Sequence, residues 1–170
     1  MKKLLIIALA FALALTAFAG CASPPEGKPS ELSPEEQSAL YAEAIENAQD
    51  EDSGFSVMTP KDEIPELMYT FLGFEAEDTE ALALSVSLVN IKAYGIVIVK
   101  PAEGRGDAVS AGLQTFIDNQ KQSFDHYLPD QYAIAESARL ETLKNGSLLM
   151  VMTPDVDTVY ESISADLGNK

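Results

Sequence analysis

The segment Leu82-Ala83-Leu84-Ser85-Val86-Ser87-Leu88 carries a large apolar residue at every second position, with Ala or Ser between. Strict period two is the pattern of a β-strand with one face buried. After a short loop from Asn90 to Ala93, Gly95-Ile96-Val97-Ile98-Val99 is apolar at every position, as a central strand requires, and Pro101 closes it. From about Asp107 to Leu128, Val109, Leu113, Phe116, Ile117, Phe124, Tyr127 and Leu128 fall on one helical face, with Ser110, Asp118, Lys121 and Asp125 opposite. Pro129 disfavours helical geometry at Leu128 and ends that helix.

A second round of the same pattern follows. Ala138 to Leu143 reads as a strand. Lys144-Asn145-Gly146-Ser147 is a hairpin signal, because Asn-Gly tolerates the positive φ of a type I′ turn. Leu148-Leu149-Met150-Val151-Met152 is again apolar throughout. Thr153-Pro154 opens a last helix with Val156, Val159, Tyr160, Ile163 and Leu167 on one face. The order strand, strand, helix, strand, strand, helix predicts an α+β fold. Two ββα units form one mainly antiparallel four-stranded sheet with the helices packed on one face.

Ahead of these units, Ser33-Pro34-Glu35-Glu36 is a helix start: Ser33 caps, Pro34 takes the first helical position, and Glu36 completes a capping box. Tyr41, Ala44, Ile45 and Ala48 give that N-terminal helix a narrow apolar stripe, and it ends near Gln49. A further helix is expected from Glu63 to Leu72, closed by Gly73. Residues 34–170 therefore read as a single domain, which can bury about 70% of its unfolded surface.

The first 33 residues are of another kind. Met1-Lys2-Lys3 and the apolar run Leu4 to Phe18 make a charged n-region and an h-region. The run is shorter than the roughly 20 residues that span a bilayer. Phe18-Ala19-Gly20-Cys21 resembles the bacterial lipobox, with Phe in place of the usual Leu. The resemblance implies a signal peptide at 1–20, cleavage before Cys21, and a diacylglyceryl group on the Cys21 thiol. Cys21 is the only cysteine, so no disulfide forms within the chain and packing alone holds the fold. Residues 21–33, rich in Pro, Gly and Ser, read as a flexible tether. The expected location is the extracytoplasmic face of the cell membrane, with the membrane itself a partner through the lipid on Cys21.

The chain has 11 basic and 27 acidic residues, a formal charge of −16. Loss of residues 1–20 removes Lys2 and Lys3 and no acid, leaving nine basic residues against 27 acidic ones and a charge of −18. That balance excludes nucleic acid and electrostatic attachment to anionic lipid, since both need Lys/Arg patches.

No catalytic constellation stands out. His126 is the only histidine and sits at the end of the long helix, where a cation complements the helix dipole. One histidine and a lipidated cysteine do not make a zinc site. Asp50-Glu51-Asp52-Ser53-Gly54 lacks the twelve-residue calcium-loop pattern. Glu103-Gly104-Arg105-Gly106 lacks the lysine and serine of a phosphate loop. No metal and no cofactor is expected. Tyr127-Leu128-Pro129-Asp130-Gln131-Tyr132 offers the candidate binding surface, with Tyr127, Asp130 and Tyr132 as an aromatic patch on a proline-fixed turn. Its other reading is a structural corner, with Tyr127 packed inward and Asp130 capping the next turn.

With the lipobox, the run from about Leu67 to Leu167 resembles a family of small bacterial lipoproteins known only as domain of unknown function 4358. Tyr94 to Pro101, Gln122-Ser123-Phe124, the hexapeptide Tyr127 to Tyr132 and the Asn145-Gly146 turn carry the resemblance. It implies a cell-envelope lipoprotein and no known activity. The residues are those of a non-enzymatic module that binds an envelope protein or wall component; the alternative is a small-ligand or divalent-cation binder.

Overall fold

The computed structural model describes residues 32–50 and 54–168. Cys21, the run read as a signal peptide and all but the last residues of the expected tether lie outside them, as does the middle of the acidic run at 51–53.

Helix α1 spans Pro34–Ala48. Its capping box is formed as expected: Glu36 N–H donates to Ser33 Oγ at 3.2 Å, and Ser33 N–H donates to Glu36 Oε2 at 2.8 Å. A 3-10 turn at Pro60–Asp62 precedes helix α2, Glu66–Leu72, which Gly73 ends at φ 84°. Only glycine takes that left-handed geometry without strain. A second 3-10 turn, Ala76–Asp78, leads into strand β1, Thr79–Val86. Strand β2, Gly95–Pro101, is followed by helices α3, Gly106–Phe124, and α4, Pro129–Glu136. Strands β3, Arg139–Thr142, and β4, Leu148–Met152, and helix α5, Val156–Asp166, complete the described residues.

The four strands form one antiparallel sheet in the order β1-β2-β4-β3. The runs read as central strands, β2 and β4, are the two inner ones. They pair with each other through Ile96↔Val151 and Ile98↔Leu149.

The helices do not lie on one face. Helices α2, α3 and α4 cover the face carrying Leu82, Leu84, Val97, Val99 and Met150. Helices α1 and α5 cover the other, with Ala81, Ala83, Ile96, Ile98 and Leu149. The physical reason is in β2 and β4. A strand apolar on both faces needs cover on both, and one layer of helices would leave Ile96, Ile98, Leu149 and Val151 in water. β1 is likewise buried on both faces. The Ala and Ser of its alternation are small because α1 packs close above them. The exposed edge of β1 is closed as well: Leu82 N–H donates to Ser38 Oγ at 3.1 Å, and Leu84 exchanges both backbone bonds with Met58. This removes an open sheet edge that would otherwise invite pairing with another chain.

Three local expectations change. The α3 helix ends at Phe124, four residues early, because His126 takes a left-handed φ of 61° and turns the chain. Pro129 then starts a new helix rather than merely stopping one. The hairpin between β3 and β4 is not type I′, since Asn145 is not at positive φ and only Gly146 is, at 81°. Gly146 N–H donates to Leu143 O, Leu143 N–H donates to Ser147 O, and Asn145 Oδ1 accepts from Ser147 N–H. This matches a three-residue loop with its glycine in the left-handed position. Finally, Gly112 lies inside α3, where glycine costs about 1 kcal/mol against alanine. It is there because Gly73 touches it: a Cβ on either residue would overlap the backbone of the other.

Candidate functional site

One end of the sheet gathers four of the eight exposed large apolar side chains among the described residues. Val86 pairs with Gly95, and Gly95 with Met152, so β1 and β4 end and β2 begins there. Helix α3 starts beyond the far end of β2 and runs back for 19 residues, about 28 Å at 1.5 Å per residue, to reach the same place at Phe124. The C-terminus of α1 arrives too: Gln49 Oε1 accepts from Ser85 Oγ and Tyr94 Oη, both at 3.2 Å. We refer to this as the tip end. The opposite, base end holds the start of α1, the β2–α3 turn and the β3–β4 hairpin.

The loop between β1 and β2 is well tied but apolar. Ser87 N–H donates to Tyr94 O at 3.0 Å, Val89 N–H to Ser87 Oγ at 3.2 Å, and Lys92 N–H to Val89 O at 3.1 Å. Between these bonds, Leu88, Val89 and Ile91 are 65%, 53% and 60% exposed. Ala93 N–H donates to Gln131 Oε1 in α4 at 2.8 Å, which fixes the loop to the α3–α4 corner. At that corner Tyr127 is 75% exposed.

The three predicted surface residues therefore part company. Tyr127 points to solvent rather than inward, and Asp130 is exposed in the first turn of α4. Tyr132 is half-buried against the core of the α2–α4 face, and its hydroxyl donates to Glu136 at 3.4 Å. Gln131, between them, connects two segments and was not among the predicted site residues. The exposed Leu88 was also missed, because the alternation reads on past Val86, where the strand stops. Its signal was Leu88-Val89-Asn90-Ile91, three large apolar residues in a loop.

The other polar groupings are internally complete. Arg139 on β3 donates to Glu141 and Asp157, each at 2.8 Å, and lies 3.7 Å over the Tyr160 ring, whose hydroxyl donates to Glu141 at 2.9 Å. The bond from Arg139, and then that from Tyr160, hold the Glu141 carboxyl below its ordinary value. At the base end Asp78 accepts from Glu75 N–H and from Arg105 Nε at 2.6 Å, and its pKa is lowered, chiefly by the backbone bond. Among the described residues no three His, Cys, Asp or Glu side chains come together to hold a metal ion. His126 stands 93% exposed, with Nε2 at 3.4 Å from its neighbour Asp125. Among the described residues no helix is long and apolar enough to cross a membrane.

The family described as Domain of unknown function (DUF4358) matches residues 52–153, more than half of the chain. The chain belongs to that family. The match takes in the whole sheet and helices α2, α3 and α4, including the loop and corner of the tip end. It starts after α1 and stops before α5, so it falls short of Leu167, where the resemblance was placed. No curated protein and no solved structure matches the chain.

Proposed function

We propose that this DUF4358 chain is a lipid-anchored, extracytoplasmic binding module without enzymatic activity, and that it meets a protein partner through its tip end. One observation carries the reading. Leu88, Val89, Ile91 and Tyr127 are each more than half exposed, on two segments joined by the Gln131–Ala93 bond. Single exposed apolar residues are ordinary, whereas a group of large ones on a tied surface marks a contact site. A rigid loop loses little entropy on binding, which favours affinity. Tyrosine at such a centre is a common energetic anchor.

The anchor supports the same picture. A diacylglyceryl group on Cys21 supplies two acyl chains on one residue, and two are what stable anchoring takes. Helix α1 starts with Pro34 at the base end, so the tip end is the one opposite that start. A surface charge of one sign keeps such a protein dispersed until a specific contact forms.

The test is cross-linking on intact cells with the full chain as bait. Wild type is compared with a Leu88→Asn/Ile91→Asn/Tyr127→Ala variant whose unfolding curve matches wild type. One partner captured by wild type and lost in the variant is the expected result. Equal capture by both, or no specific partner with either, overturns the reading. Cys21→Ser that still fractionates with membrane overturns the anchor.

A further inference from the structure

Helix α1, the two 3-10 turns, α2 and the start of β1 line a groove of about 510 Å³. Small-molecule sites run from about 300 to 1,000 Å³. Glu35, Glu43 and Glu46 line it from α1 and Glu80 from β1, against one cation, Lys61. Among the described residues none of these five is in an ion pair. The apolar lining includes Ala39, Ala42, Pro60 and Ala76. An acidic face alone is a solvated surface. Tyr69 is a second, independent mark of a ligand. It lines the groove from α2, is only 7% exposed, and has its ring edge-on to Phe74. Among the described residues its hydroxyl has no hydrogen-bond partner, yet it is not sealed from water. The other hydroxyls of the lining are committed. Ser38 Oγ bonds Pro34 O and Leu82 N–H, Thr59 Oγ1 bonds Asp62, and Thr79 Oγ1 bonds Ala76 O.

Polar groups this deeply buried are nearly always paired, so the Tyr69 hydroxyl is a place for a ligand's polar atom. Burial, and then the Glu77 carboxylate, push the phenol pKa up, so it stays protonated and neutral and can accept from a cation. The spread of the carboxylates selects the ligand class. From Glu35 to Glu46 helix α1 rises about 16 Å. Among the described residues no three acidic side chains converge to hold a metal ion. A peptide segment would bring backbone amides that the committed hydroxyls cannot pair, and unpaired amides are costly. Separate ammonium groups joined by methylene links match separate carboxylates set among alanines. Each ammonium gains a charge-assisted contact, and the links cover apolar surface. We infer that this groove binds a linear aliphatic polyamine, its ammonium groups toward the glutamates and one of them donating to the Tyr69 hydroxyl. The inference is independent of the protein contact proposed above, which uses a different surface.

The test is calorimetric titration of the purified full chain in detergent with spermidine, against butylamine, magnesium and trilysine at matched ionic strength. Spermidine binds saturably at one site per chain, and each of the other probes binds more weakly by about tenfold or more. Tyr69→Phe leaves the unfolding curve in place, because that hydroxyl has no partner in the fold, and weakens spermidine about tenfold, the loss of one charge-assisted contact. Ala39→Trp, a filling substitution at an exposed position of the lining, removes binding, whereas Ala39→Ser keeps it. Neither Tyr69→Phe nor Ala39→Trp alters the net charge, so a polycation merely condensing on an acidic protein would not respond to them. Unchanged spermidine binding in either variant overturns the inference. So does the absence of saturable spermidine binding, or butylamine, magnesium or trilysine binding as tightly as spermidine. Partner capture in cells by Ala39→Trp stays at the wild-type level, so a failure here and a failure of the protein contact are distinguishable.

Discussion

Leu82 and Leu88 lie six residues apart on the same alternation, yet one is fully buried and the other is 65% exposed. The difference is one of ends. At the base end the fold completes itself: Ser38 Oγ receives the spare N–H of Leu82, and Tyr41 Oη bonds Ser147 Oγ at 2.5 Å. There too Lys100 Nζ donates to Asn145 O at 2.7 Å, and Asp78 is held by two partners. At the tip end the backbone is equally well bonded, but the side chains it holds up are apolar and uncovered. On the proposed reading, a region whose hydrogen bonds present Leu, Val, Ile and Tyr to water serves contact. A region that spends them on burying Leu and Tyr is built for stability.

The sharpest way to break this contrast is a matched pair of truncations. Leu82→Ala should lower the stability by about 2–5 kcal/mol, the cost of emptying a filled core site. Leu88→Ala should stay within about 0.5 kcal/mol, as surface changes do. Urea unfolding of both variants decides it, and a large loss at Leu88 would make the tip end part of the core.

Next in size is Tyr41→Phe, which strands the fully buried Ser147 hydroxyl and should cost about 1–2 kcal/mol. Adding Ser147→Ala should recover part of that loss, because both polar partners are then gone. Ser33→Ala removes the α1 cap and should cost about 1 kcal/mol. A thermal melt that does not move would mean α1 is held by its packing alone.

The acid limb offers a smaller, directional test. Asp78 has a lowered pKa in the fold, so its contribution is present above the unfolded value of about 3.9 and is lost as pH falls through the folded value. Stability should therefore fall below about pH 4, and Asp78→Asn should flatten that fall. An unchanged acid limb in Asp78→Asn would remove Asp78 from the account.

Much of the base end and of the sheet was legible. The periods of Leu82–Leu88, Gly95–Val99 and Leu148–Met152 identified the strands, the first running two residues past its end at Val86, and Ser33 with Glu36 identified the start of α1. What periodicity cannot say is which helix covers which face. It reports that Ile96 and Val97 are both buried, not that α1 lies over one and α3 over the other. Pro129 was read as a stop, although a fixed φ suits the first position of a helix equally well. Gly112 makes sense only through its contact with Gly73, 39 positions away in the chain. In the hexapeptide the sequence left a surface patch and an inward-packed corner both open, and the exposure of Tyr127 and Asp130 speaks against the inward-packed one. The half-burial of Tyr132 and the bond from Ala93 to Gln131 depend on long-range packing, which no local pattern encodes.

The central claim is that contact with a partner is confined to the tip end. Site-specific photo-cross-linking on intact cells tests it most directly, with the probe placed at Ile91 or, at the base end, at the exposed Glu103. The account predicts one discrete adduct from Ile91 and none from Glu103. Adducts of equal strength from both positions, or an adduct from Glu103 alone, would contradict it.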